Sequence, residues 1–294
     1  MILGIDPKID FAFKYLFGRD STRDNLIDAV NSVLQPPPGH AVLDVELLNP
    51  FNLQETLDDK LSVLDIKARD QAGRQFNIEM QILPYLHYDK RILYYWTDLY
   101  GQQLGRGQDY GLLCPTISIS FLDHVMFPDV PDCHLCFQLL EKRHRFAMSQ
   151  DIEFHILQLP KFTRKLAELT GALDAWLYFL RYAEMIDTAA LPAELRQPSI
   201  MRAVEELTML TQSDIERERY ESRRKAQMDH ISAINAARLQ GELAGREKGE
   251  LIGAIHLCQS LLNQPITPKE KLLALSLEEL SSLASDLREQ VVKP

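Results

Sequence analysis

The chain contains no apolar run approaching the roughly 18 residues of a membrane-spanning helix, so no such segment is expected. Cysteine is scarce: four at irregular positions do not make a disulfide framework, and reduced thiols in a cytoplasmic protein are expected. Asp6, Lys8 and Asp10 interrupt the opening segment, so an apolar signal-peptide core is not expected there. Positive charge is in deficit, with 32 Lys and Arg against 42 Asp and Glu for a net charge of −10. A broad basic surface for nucleic acid is thereby excluded, which counts against a passive, tight DNA binder. It counts less against an enzyme, because metal ions and a few local cations can hold a phosphate at one place. No phosphate-binding glycine loop, nucleophile elbow or dinucleotide fingerprint occurs.

What remains is an ordinary globular composition, 46 % apolar and 25 % charged over 294 residues, with length for about two domains. Asp6, Pro7 and Gly18 have the chemistry of an N-cap, a first helical residue and a left-handed C-cap, around a helical stripe of Ile9, Phe13, Leu16 and Phe17. A second helix is expected over 23–34, ended by Pro36-Pro37-Pro38-Gly39. Residues 41–48, 61–68, 74–82, 114–122, 133–140 and 152–159 read as strands, and 85–104 as an aromatic helix. Asp70-Gln71-Ala72-Gly73 is a hairpin turn with glycine where positive φ is wanted. Beyond Pro160 the pattern is helical, over 166–185, 199–212 and a proline-free stretch of 214–262 that reads as one helix or two. Capping boxes at Thr267–Glu270 and Ser276–Glu279 open two short closing helices. The expected division is therefore an α/β domain over 1–160 and a helical region over 161–294.

Alternation in the central hairpin concentrates the chemistry. Leu64, Ile66 and Ala68 share one face of their strand, and Val63, Asp65 and Lys67 the other. Phe76, Ile78 and Met80 are apolar, while Asn77, Glu79 and Gln81 point the opposite way. Two carboxylates, Asp65 and Glu79, on neighbouring strands would form a hard-oxygen site suited to Mg²⁺ or Mn²⁺. From pattern alone, a hairpin with a wet outer face is the stronger reading. On the following helix Tyr88, Arg91 and Tyr95 share one side, an arrangement suited to holding a phosphate, although aromatic stripes are more often core.

These residues resemble a known pattern. Asp65–x13–Glu79–x–Gln81 looks like the PD-(D/E)XK nuclease motif, with Leu64 at the weakly kept proline and Gln81 at the lysine. The fuller set resembles the Rpn family of recombination-promoting nucleases and transposase-like proteins. The matching pieces are Asp10–Gly18 (DFAFKYLFG), Lys60–Ile66 (KLSVLDI), Asn77–Gln81 (NIEMQ), Tyr88–Tyr95 (YDKRILYY) and Gly107-x-x-Tyr110, with a glycine-rich tail near 241–253. The resemblance implies a mixed sheet flanked by helices with a helical C-terminal region. It also implies a Mg²⁺-dependent DNA endonuclease of low sequence specificity, with Mn²⁺ able to substitute. Asp65, Glu79 and the carbonyl of Met80 would ligate the metal. Gln81 departs from the superfamily's lysine and carries no charge to offset, so Lys67, Lys60 and Arg91 are candidates to compensate. Asp10 and Lys14, one turn apart, would border the site or simply form an ion pair. The alternative is a nuclease-like protein of impaired activity, working through DNA binding or assembly.

Ala233, Ala237, Gly241, Gly245, Gly249 and Gly253 recur every four residues, suiting either a close helix contact in an oligomer, a dimer being plausible, or a weak exposed helix. Cys133-His134-Leu135-Cys136, with His124 near in sequence, invites a zinc reading, but buried cysteines are favoured because Cys133 and Cys136 would point apart. Arg217, Arg219, Arg223, Arg224 and Lys225 interleave with acids, so a solvated helix is expected over a DNA-tracking one.

Overall fold

The computed structural model describes residues 2–49 and 65–292, with Asp65 described by its backbone alone. Lys60 and the expected strand residues 61–64 therefore lie outside the described residues. Helices α1 (Asp10–Phe17) and α2 (Arg23–Leu34) come first, then strands β1 (Val45–Leu47), β2 (Asp65–Asp70) and β3 (Gln75–Gln81). Helix α3 (Tyr88–Gly101) leads to β4 (Thr116–Leu122), β5 (His134–Gln138) and β6 (Ile152–Gln158). Helices α4 (Gly171–Tyr182), α5 (Pro198–Gln212), α6 (Asp214–Leu261), α7 (Lys269–Leu273) and α8 (Leu277–Val292) follow.

The strands form one six-stranded mixed sheet in the order β1-β2-β3-β4-β6-β5. β3, β4 and β6 are parallel, because α3 carries the chain across one face between β3 and β4. β1, β2 and β5 pair antiparallel at the flanks. This is the mixed sheet with flanking helices that the resemblance leads one to expect.

Strand alternation gives the sheet two chemically different faces. Ile66, Ala68, Phe76, Ile78, Met80, Ile117, Ile119, Phe121 and Leu157 bury one face in the main core with α1, α2, α4 and α5. That core is built around aromatic contacts: Phe17 lies 5.0 Å from Phe13 and 5.2 Å from Trp176 between ring centroids. The Trp176 indole N–H donates to Asp28 Oδ2 at 2.7 Å, so the ring is buried without an unpaired donor. The opposite face is covered by α3, through a smaller cluster of Tyr88, Ile92, Leu122 and Ile156.

The β2–β3 turn forms as its sequence demands. Asp70 Oδ1 accepts from the N–H of Ala72 and of Arg74, both at 2.9 Å, and Gly73 takes φ of +83°. A Cβ at Gly73 would also stand 2.8 Å from Cys114 Sγ, so the position has neither the conformation nor the space for a side chain.

Several ends differ from the sequence reading. Asp6 does not cap α1: its Oδ1 accepts from Lys8 N in a turn, and the helix starts at Asp10. Gly18 closes α1 at φ −104°, outside the left-handed region, because Gly18 N reaches back to Lys14 O. The left-handed residue is Gln35 at the end of α2, with φ of 46°. Thr267 opens no capping box; its hydroxyl instead accepts from Gln259 Nε2. Ser276 and Glu279 do form one, each backbone N–H meeting the other's side chain.

Contacts divide the chain into two compact units, Met1–Ala226 and Gln227–Pro294. Within the first, the start of α6 is tied down by Tyr220, whose hydroxyl accepts from Asp6 N at 2.9 Å, and by Glu216, which accepts from the Tyr15 hydroxyl. The second has its own core of Ile252, Ile255, Cys258, Leu272, Leu280, Ala284 and Leu287. In that unit Gly241, Gly245, Gly249 and Gly253 have nothing within 4 Å of where a Cβ would stand. Among the described residues the glycine stripe is therefore an exposed helix surface.

Phe17→Ala is expected to cost about 3–5 kcal/mol, because the ring fills the junction of α1 and α4 and its loss leaves a cavity. Urea denaturation monitored by tryptophan fluorescence checks this; a loss under about 1 kcal/mol would place the core elsewhere.

Candidate active site

Antiparallel register sets Asp65 directly opposite Glu79, Ile66 opposite Ile78 and Lys67 opposite Asn77. Lys67, Asn77, Glu79 and Gln81 thus belong to the α3-covered face, and the Asp65 backbone holds the register position beside Glu79. Parallel pairing with β4 sets Glu79 beside Ser120 and Asn77 beside Ser118. This polar face is not wet: Glu79 is 1 % exposed, and Asn77, Gln81, Ser118 and Ser120 are also buried. The solvated outer face that pattern alone favours is overturned, because α3 lies over it.

Burying a carboxylate is costly unless hydrogen bonds replace its water. Glu79 Oε1 accepts from Asn77 Nδ2 at 2.9 Å, and Oε2 accepts from the Tyr88 hydroxyl at 3.1 Å. Burial, then the adjacent Glu79 charge, push the Tyr88 pKa well upward, so the phenol stays protonated and remains a donor. Among the described residues, Asn77 Oδ1 and Ser118 Oγ are buried with no hydrogen-bond partner, so the neighbourhood of Glu79 has acceptor capacity that the described donors do not meet.

Arg91 lies among aromatic faces, its guanidinium carbon 5.2 Å from the Tyr95 ring centre, 5.5 Å from Tyr85 and 6.0 Å from Tyr88. Its Nε is buried without a hydrogen-bond partner among the described residues. Cation–π contact orients the group while leaving donors for an anion. Tyr88, Arg91 and Tyr95 do share one side of α3, and Tyr88 serves both readings, being buried core and a partner of Glu79.

Asp10 and Lys14 pair at 3.5 Å, as expected for residues one helical turn apart. The segment leading into α1 is tied to the strand ends: Lys8 lies 3.7 Å from Asp123, whose N–H donates to Gln81 O. Burial raises the Asp123 pKa, and the Lys8 charge opposes it. His124 lies against Tyr88 with ring centres 6.4 Å apart, and burial lowers its pKa below 6.5.

Sequence reasoning placed Asn77 on the Glu79 face without giving it a role, and missed Ser120, Tyr85, Lys8 and His124 as neighbours of these groups. Asn77 was legible, since it precedes Glu79 by two residues and shares its face. Ser120 follows only from the β3–β4 register, and Tyr85 lies outside the helical period of Tyr88, Arg91 and Tyr95.

With this geometry in view, residues 7–237 match the family described as PD-(D/E)XK nuclease family transposase, and the chain belongs to that family. Comparisons with curated proteins and with solved structures gave no match.

Tyr88→Phe removes a donor from a buried carboxylate and is expected to cost about 1–3 kcal/mol while keeping the fold, as read from urea midpoints and circular dichroism. Because the folded His124 pKa lies below 6.5, the unfolded chain takes up that proton first as pH falls, and stability drops below pH 6.5. His124→Gln removes this part, so its stability relative to wild type should improve between pH 7.5 and 5.5. An unchanged difference across that range would contradict the assignment.

Proposed function

We propose that the protein is a divalent-metal-dependent DNA endonuclease of low sequence specificity, acting in recombination or on mobile elements in the cytoplasm. The observation that carries this reading is the register pairing of Asp65 with Glu79 on a buried polar face. Two carboxylates and the Met80 backbone carbonyl make an all-oxygen donor set, which suits Mg²⁺ or Mn²⁺. The unmet acceptors Asn77 Oδ1 and Ser118 Oγ suit the donating waters of a hydrated cation. A divalent ion held there supplies a polarised phosphate and a water of lowered pKa.

The remaining work falls to the chain's own side chains. Tyr88 and Asn77 hold the Glu79 carboxylate in one orientation. The Gln81 amide orients the attacking water by hydrogen bonding, without the charge a lysine would add. Arg91, oriented by its tyrosines, holds a phosphate oxygen, and Lys67, on the Asp65 face, supplies further positive charge. Asp10, Lys14 and Tyr95 border the site, and Lys60 is a further candidate phosphate contact. A homodimer would present two such sites, which makes cutting both strands simpler.

The second reading is a nuclease-like protein that binds or assembles on DNA without cutting it. Gln81 in place of lysine and the net charge of −10 favour it. Plasmid cleavage separates the two. Wild type should nick or cut supercoiled DNA only with Mg²⁺ or Mn²⁺, and Asp65→Ala and Glu79→Gln should each lower the rate by about a thousandfold or more, as for loss of a principal stabilising group. Equal residual cleavage in all three proteins, or none by wild type on supercoiled, linear and single-stranded DNA, would reject the enzyme.

A further inference from the structure

On the opposite face of the sheet, at its β5 edge, stands a second group of metal-binding side chains. Antiparallel pairing sets Cys136 opposite His155 and Gln138 opposite Glu153. Among the described residues, Cys136, Glu153 and His155 offer a sulfur, a carboxylate oxygen and an imidazole nitrogen all within 4.8 Å of one another. This corrects the expectation of buried cysteines: Cys136 is exposed, at the open edge of the sheet, and Cys133 is half-buried just before β5. Cys133 and Cys136 need not converge, because the partner of Cys136 comes from β6.

We propose that Cys136, Glu153 and His155 form a binding site for a borderline transition metal such as Zn²⁺, distinct from the candidate nuclease site. The donor set decides the metal class. Thiolate and imidazole select Zn²⁺ and its neighbours over Mg²⁺ and Ca²⁺, which prefer oxygen alone. Ligand atoms in a tetrahedral zinc site stand about 3.3–3.7 Å apart, given bonds of ~2.0–2.3 Å. His155 Nε2 and Glu153 Oε1 stand 2.5 Å apart, and all three ligand atoms lie within 4.8 Å of one another.

Outer contacts already hold the ligands. Glu153 Oε2 accepts from Gln138 Nε2 at 3.1 Å, leaving Oε1 toward His155. His155 Nδ1 lies 2.8 Å from His134 Nε2, so one of those nitrogens donates to the other. With a metal on Nε2 of His155, the Nδ1–H donates to His134, which fixes the tautomer and ring orientation as such partners do in zinc proteins. As a metal–sulfur bond formed, the Cys136 thiol proton would leave to solvent, and Glu153 and His155 Nε2 would give lone pairs, with the imidazole proton on Nδ1. Three protein ligands leave a fourth position open to water.

The probe is Co²⁺, titrated into the reduced full-length protein and followed by its thiolate charge-transfer absorption, with Zn²⁺ as competitor. One equivalent of cobalt should develop the band, and Zn²⁺ but not excess Mg²⁺ should abolish it. Cys136→Ser, a conservative change at an exposed position, should remove the band, while Cys133→Ser and Glu79→Gln keep it. His134→Ala should weaken binding about 10–100-fold without loss of the band at saturation. No band in wild type, a band that persists in Cys136→Ser, or one lost in Glu79→Gln would each overturn the proposal. Because the readout is spectroscopic and independent of DNA cleavage, an inactive nuclease would leave it intact.

Discussion

A carboxylate sits in the interior of this protein on the polar face of a sheet, under a helix, with a phenol and an amide turned toward it. Leaving Glu79 unsolvated there would cost several kcal/mol, so its surroundings are constrained. β3 itself must bring Asn77, and β4 beside it Ser120, to the same face, and the helix above must bring Tyr88 within hydrogen-bonding reach. That demand explains why β3 and β4 read Gln75, Asn77, Glu79, Gln81 against Thr116, Ser118, Ser120 on one side and apolar residues on the other. The apolar side is anchored by α1, α2, α4 and α5, and among the described helices α3 lies over the polar one.

How much of this was legible follows from which forces are local. Period-two alternation is local, so the two faces of the hairpin, the pairing of Asp65 with Glu79 and the turn at Gly73 could all be read from the chain. The common side of Tyr88, Arg91 and Tyr95 was legible for the same reason, through the helical period. The burial of the polar face was not, because it depends on where α3 lands. Helix ends were read less well, since Asp6 and Thr267 spend their side chains on a turn and on Gln259, competitors that propensity does not reveal. The composition shift near residue 160 marks a change from strands to helices. The compact units divide later, because α4 and α5 bury Trp176, Phe179, Ile200 and Leu207 in the core that the sheet and α1 share.

The two faces also separate two kinds of donor atom by hardness. Oxygen donors collect on the α3 face, and sulfur with imidazole collects at the β5 edge of the other. Strands make this separation simple, since neighbouring residues on one strand point to opposite sides. His155 is flanked by Phe154 and Ile156, which face α3, yet its own ring lies among polar groups on the far side.

The position of β3 within the sheet has a consequence for motion. β3 is hydrogen-bonded on both sides, by β2 and by β4, so its amides exchange with solvent only when the sheet itself comes apart. α3 has no such lateral ladder and rests on side-chain contacts, Tyr88, Ile92, Trp96 and Leu99 being its buried residues. It belongs to a cooperative unit of lower opening energy. Glu79 therefore stays in place while Tyr88 and Arg91 can lift together, and the polar face is exposed by an opening that leaves the sheet intact.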